Sequence, residues 1–148
     1  MLERCEIFCG SKVSILPHYT DNKTISQKIA SEKDDQDPFF VVNLTTLVKK
    51  FAEFTRELPN VKPFYAVKCN DDPVILTALA RLGCGFDCAS EGEIFKMLNL
   101  GITDPNNMIF ANPCKTRKSL QSADAAGIRM MTFDSVEELI KMKKFHSN

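Results

Sequence analysis

From residue 39 onward, short apolar runs alternate with longer stretches in which apolar residues return every three or four positions. The runs are FFVVN (39–43), FYAVKC (64–69), GFDC (85–88), MIFA (108–111) and MMTF (130–133). Short runs rich in β-branched and aromatic residues suit buried strands. Their starts lie about 23 residues apart, the step of one strand, one helix and two short loops.

The punctuation between the runs predicts helices. Asp72-Pro73 reads as an N-cap followed by proline at the first helical position. Ser90-Glu-Gly-Glu93 and Ser135-Val-Glu-Glu138 have the capping-box form, in which hydroxyl and carboxylate satisfy opposite backbone donors. Gly83, Gly101 and Gly127 stand where helices would end in a left-handed residue. Over 44–58, Leu47, Phe51 and Phe54 share one helical stripe.

Five βα units in a row predict an α/β fold with a parallel sheet and right-handed crossovers. An open doubly wound sheet and a (β/α)₈ barrel both satisfy this. Even spacing and the lack of a G-x-G-x-x-G after the first run favour the barrel, of which this chain would carry five units of eight. Residues 1–38 do not follow the repeat. Cys5–Phe8 and Val13–Leu16 read as strand pieces, and the charged stretch Ser31-Glu-Lys-Asp-Asp-Gln-Asp37 as a linker ahead of Pro38. The division expected is therefore 1–38, part of a second structural layer, and 39–148, the truncated barrel.

Composition then narrows the partners. Nineteen basic and nineteen acidic residues cancel, which argues against nucleic acid or a membrane surface held by bulk charge. No apolar run approaches the roughly 20 residues of a bilayer span, and MLERCEIFCG lacks the form of a secretory signal. A soluble, untargeted protein is expected. Six cysteines without a C-x-x-C pair, and two histidines (His18 and His146) away from any cysteine cluster, point to reduced thiols rather than a metal site.

Two residues carry candidate chemistry. Strand alternation would place Phe64, Ala66 and Lys68 on one face, with Lys68 at the carboxyl end of its strand. Asp87 falls at the carboxyl end of the next run, and barrel enzymes place their chemistry at that end. An amine flanked by apolar residues suits imine formation, because desolvation favours the neutral nucleophile while a nearby carboxylate opposes it. A plain ion pair at a strand end fits the same spacing.

The words themselves go further. Pro63-Phe-Tyr-Ala-Val-Lys-Cys-Asn70, Gly85-Phe-Asp-Cys-Ala-Ser90 with Glu93, Ala111-Asn-Pro-Cys-Lys115 and Met130-Met-Thr-Phe-Asp-Ser135 together resemble four ordered signatures of eukaryotic ornithine decarboxylases. The resemblance runs from about Phe39 to Phe145. It implies a pyridoxal 5′-phosphate-binding (β/α)₈ barrel beside a β-sheet domain, to which residues 1–38 would contribute. It implies that Lys68 forms the internal Schiff base, that Ala66 lies against the cofactor, and that Asp87 and Glu93 stand near the Schiff base. Glu93 has a rival role in its capping box. The implied reaction converts L-ornithine to putrescine and carbon dioxide in a cytoplasmic homodimer. The rest of such a site would lie beyond Asn148, so the chain alone is expected to be inactive.

Related decarboxylases acting on diaminopimelate or arginine share Tyr65-Ala-Val-Lys68, but carry Cys69 and Cys88-Ala-Ser90 less often. The competing class is a non-catalytic antizyme inhibitor, which resembles the enzyme and has lost the acid that Asp87 supplies here. An antizyme-binding surface is also implied around Lys115, Arg117 and Lys118; a solvated helix face is the plainer reading of those charges.

Overall fold

The computed structural model describes residues 4–17 and 20–146; His18 lies outside them. Two strands, β1 (Arg4–Phe8) and β2 (Ser11–Ile15), form an antiparallel hairpin. Its turn is Cys9-Gly10, with φ of 52° and 76°, the left-handed pair that a two-residue hairpin turn requires. The strand pieces expected near the N-terminus are thus one hairpin. Phe8 reaches the body of the molecule, where the Arg81 guanidinium stands 4.5 Å from its ring centroid.

Helix α1 (Asn22–Glu32) was not predicted by the hydrophobic pattern, and it buries no residue. Its signal is the cap. Asp21 accepts hydrogen bonds from the Thr24 backbone N–H at 2.8 Å and the Thr24 hydroxyl at 2.9 Å, the side-chain capping that starts a helix. Ser31 and Glu32, read as linker, are its last turn.

The expected strand over 39–43 is also corrected. Among the described residues this segment has no strand assignment. Phe40 is almost wholly exposed and Val42 is 46% exposed. β-propensity marks residues that suit a pleated, half-buried surface, and here no neighbouring strand provides the ladder. Helix α2 (Leu44–Glu57) follows, capped by Asn43, whose side chain accepts from the Thr46 N–H at 3.1 Å. Leu47 and Phe51 turn inward as their spacing predicts, whereas Phe54 stays 38% exposed.

The repeat proper is β3 (Phe64–Ala66), α3 (Pro73–Arg81), β4 (Gly85–Cys88), α4 (Glu91–Leu100), β5 (Met108–Phe110), α5 (Arg117–Ala125), β6 (Met130–Met131) and α6 (Val136–Phe145). Gly83, Gly101 and Gly127 all adopt positive φ at or just after helix ends, as predicted. The four strands are parallel and lie side by side in chain order.

Register separates the two faces of this sheet. Phe86, Cys88, Met108 and Phe110 are buried together with Ile75, Leu76 and Leu79 of α3, Ile94 and Met97 of α4, and Ala123 of α5. The opposite face holds Phe64, Ala66, Gly85, Asp87, Ile109 and Met130. One core on one face, under helices that follow the strands in order, is a stretch of barrel wall. A doubly wound sheet would carry helices on both faces and reverse its strand order. The barrel reading holds, with four paired strands rather than five.

Candidate functional site

The site is set by where β3 stops. After Ala66 the chain leaves the pleat and winds into a single 3₁₀ turn, Val67–Cys69. Val67 is completely buried, so it pins the turn to the core. Lys68 therefore stands one residue past a buried anchor, exposed, at the carboxyl edge of the sheet. The alternation expected through residue 68 breaks here, because the strand is three residues long. The Tyr65 hydroxyl donates to the Asn70 carbonyl at 3.3 Å and holds the far side of the turn. Burial, followed by its hydrogen bond to the Cys69 thiol, pushes the Tyr65 phenol up to about 12.

Ala66 pairs in register with Asp87. Both lie on the face away from the helices, and both are half-buried. Lys68 is two residues beyond that pair, toward the carboxyl end. Among the described residues, Lys68 has no hydrogen-bond or ion-pair partner. The structural ion pair with Asp87 that spacing also allowed is therefore not formed. Cys88, between Asp87 and Glu93, reports the local field. Burial first, then the carboxylates of Glu93 and Asp87, push its thiol up to about 12.

Glu93 takes the capping role in a modified form. The Ser90 hydroxyl accepts from the Glu93 N–H at 3.2 Å, and Glu93 Oε2 accepts from the Ala89 N–H at 2.8 Å. Its carboxylate thus satisfies the residue before the cap and fixes the loop that follows β4 and Asp87.

Lys115 departs furthest from expectation. Placed by sequence on a basic surface with Arg117 and Lys118, it is instead the most buried charge described, its side chain 0% exposed. Its Nζ donates to the carbonyls of Asn112 (3.0 Å) and Thr132 (2.7 Å) and pairs with Glu138 Oε1 at 2.8 Å. Glu138 also accepts from the Lys115 N–H at 3.2 Å and pairs with Lys141 at 2.5 Å. An ammonium with all three donors engaged offers nothing to a carbonyl carbon. Burial disfavours the Glu138 charge, yet the hydrogen bonds from Lys115 and Lys141 prevail and hold it near 2. Sequence reasoning missed this cluster, although the Glu138 capping box marked one end of it. Arg117 and Lys118 are exposed, with the Arg117 guanidinium 4.8 Å from the Phe145 ring centroid.

An aldehyde cofactor would find a suitable set here. Lys68 presents an unengaged amine on an anchored turn, Ala66 leaves the sheet face clear of bulk, and Asp87 supplies a carboxylate on that face. A separate cavity of about 480 Å³ lies between α2, β3 and α3, lined by apolar residues such as Leu47, Phe51 and Ile75.

Known proteins sharpen this picture. Residues 44–148 match the family described as pyridoxal-dependent decarboxylase, pyridoxal binding domain. An ornithine decarboxylase of Panagrellus redivivus is 48% identical over 97% of this chain and 33% of its own length. Antizyme inhibitor 2 of Xenopus laevis is 46% identical over 80% of this chain and 26% of its own. The solved arginine decarboxylase of Paramecium bursaria Chlorella virus superposes with a TM-score of 0.79 at 34% identity, covering 86% of this chain and 35% of that one. The chain spans about a third of the length of the curated relatives it matches.

Proposed function

Because this chain belongs to the pyridoxal-dependent decarboxylases, through their pyridoxal-binding domain, we propose that it carries the amine-bearing part of the cofactor site of an ornithine decarboxylase. The observation that carries this reading is Lys68: an exposed amine without a partner among the described residues, on a turn pinned by buried Val67, beside the Ala66–Asp87 register pair.

Pyridoxal phosphate, when bound, supplies a conjugated electron sink for the pair left as carbon dioxide departs. The chain's own residues do the rest of what can be assigned here. Lys68 would hold the cofactor through Nζ. Asp87 favours a proton on that nitrogen by its charge. Ala66 would lie against the cofactor, and Glu93 fixes the loop behind Asp87. The substrate we assign is L-ornithine, giving putrescine, and the proposal extends to a cytoplasmic homodimer.

A second reading, the antizyme-inhibitor type, is favoured by the 46% identity to such a protein. Asp87 weighs against it, since the resemblance ties loss of that acid to loss of catalysis. Antizyme itself would meet Arg117 and Lys118; Lys115 is not available to it.

The test uses the full gene product that carries this chain. After incubation with pyridoxal phosphate, borohydride reduction and peptide mapping should find one pyridoxyl group, on Lys68. A label on another lysine, or none, refutes the assignment. Carbon dioxide release from L-ornithine, compared with L-lysine and L-arginine, then decides the substrate.

A further inference from the structure

Three parallel strands end next to one another, and a continuous polar chain runs across their carboxyl ends. It starts at Glu93, whose Oε2 accepts from the Ala89 N–H at 2.8 Å. The Ala89 carbonyl accepts from the Asn112 side-chain amide at 3.3 Å. The Asn112 carbonyl accepts from Lys115 Nζ at 3.0 Å, and Lys115 also holds Thr132 and Glu138. Asn112 Oδ1 accepts from the Cys114 N–H at 3.1 Å and shapes the intervening loop. Backbone bonds run alongside, from the Ala111 N–H to the Cys88 carbonyl at 2.8 Å and from the Thr132 N–H to the Phe110 carbonyl at 3.2 Å. The loops after β4, β5 and β6 are joined into one rim.

Stability alone is a poor reason for such a feature. Apolar residues of similar volume in place of a buried ion pair are often neutral or stabilising. What an ion pair with fully engaged donors provides is a fixed geometry, since each partner has one arrangement that satisfies it. Here the fixed geometry ends on Glu93, at the rim where Lys68 and Asp87 also stand.

Resting on the function assigned above, we propose that Lys115, with Glu138, is a positioning residue that holds the Asn112–Ala89–Glu93 chain in place for the cofactor site. It touches neither cofactor nor substrate. It acts through the backbone of the rim, and nothing in its sequence position beside Arg117 and Lys118 suggests this role.

Two variants of the full gene product test the proposal. Lys115→Met/Glu138→Leu removes both buried charges together, so no charge is left unpaired in the core. Asn112→Ala leaves the ion pair intact and cuts the chain one step before Ala89. Hydrogen exchange at the Ala89 amide reads the far end directly, and titration with pyridoxal 5′-phosphate, followed by absorbance, reads the site. Both variants should speed Ala89 exchange by about fivefold to tenfold, the worth of one hydrogen bond, and weaken cofactor binding by a similar factor. Unchanged Ala89 exchange in the double variant overturns the proposal, as does unchanged cofactor affinity alongside a wild type that binds normally. A wild type that takes up no cofactor would instead refute the assigned function, and Ala89 exchange alone would then decide whether Lys115 holds Glu93.

Discussion

Acid should act on this protein in large part through Glu138. Its carboxyl is held near 2 against an ordinary value of 4.5. Burial works against the charge, and Lys115 and Lys141 outweigh it. A folded-state value below the unfolded one means that the carboxylate stabilises the fold above pH 4.5. That contribution is lost as the pH falls from about 4.5 toward 2. At about 1.4 kcal/mol per unit, the gap is worth roughly 3 kcal/mol. Other carboxyls complicate a bare acid titration. Asp21, Asp35 and Asp71 are also held low, the first by hydrogen bonds from Thr24 and the others by bonds from Lys33 and Lys96 respectively. All three are exposed and remain in Lys115→Met/Glu138→Leu, so the difference between wild type and this variant isolates the buried pair. Urea unfolding, followed by circular dichroism at steps from pH 7 to pH 2.5, gives that difference directly. Wild type should lose roughly 3 kcal/mol more than the variant across the window. Parallel curves would show that Glu138 titrates as an ordinary carboxylate and that the buried-pair reasoning is wrong.

Packing gives two further expectations. A Cβ on Gly85 would stand 2.6 Å from two carbons of the Phe64 ring, so Gly85→Ala should lower stability by about 1–3 kcal/mol. Phe64→Leu in the same chain should recover part of the loss, and an unchanged urea midpoint for the single variant would contradict the packing described. Thr77, 5% exposed in α3, has a hydroxyl with no hydrogen-bond partner among the described residues. Thr77→Val should therefore raise stability by about 1 kcal/mol; a lower melting temperature would mean that the hydroxyl is satisfied.

Local signals were legible in the sequence because their partners lie within a few positions. Asp72 accepts from Val74, Ser90 from Glu93, and Ser135 from Glu138, as the caps predicted. The repeat was legible because four of five apolar runs pair with a neighbour one unit away. The fifth, 39–43, shows the limit: a run can have strand composition and still lack a ladder. Helix α1 shows the converse, since a helix that buries nothing leaves no stripe to detect.

Lysines at the carboxyl edge show why the site itself was only half legible. Lys68 and Lys115 both follow a short apolar strand, and both precede polar residues. In sequence Lys68 looked like the last residue of a strand, flanked by apolar neighbours, and Lys115 looked like part of an exposed basic helix start. The structure exchanges these surroundings. Residue 67 takes the buried position and turns residue 68 outward, while Glu138, 23 positions away, draws residue 115 inward. An amine can attack a carbonyl only when its lone pair is not committed, so a full set of acceptors disqualifies Lys115. The absence of partners among the described residues leaves Lys68 available. What separates the two is long-range pairing, which composition and periodicity do not encode.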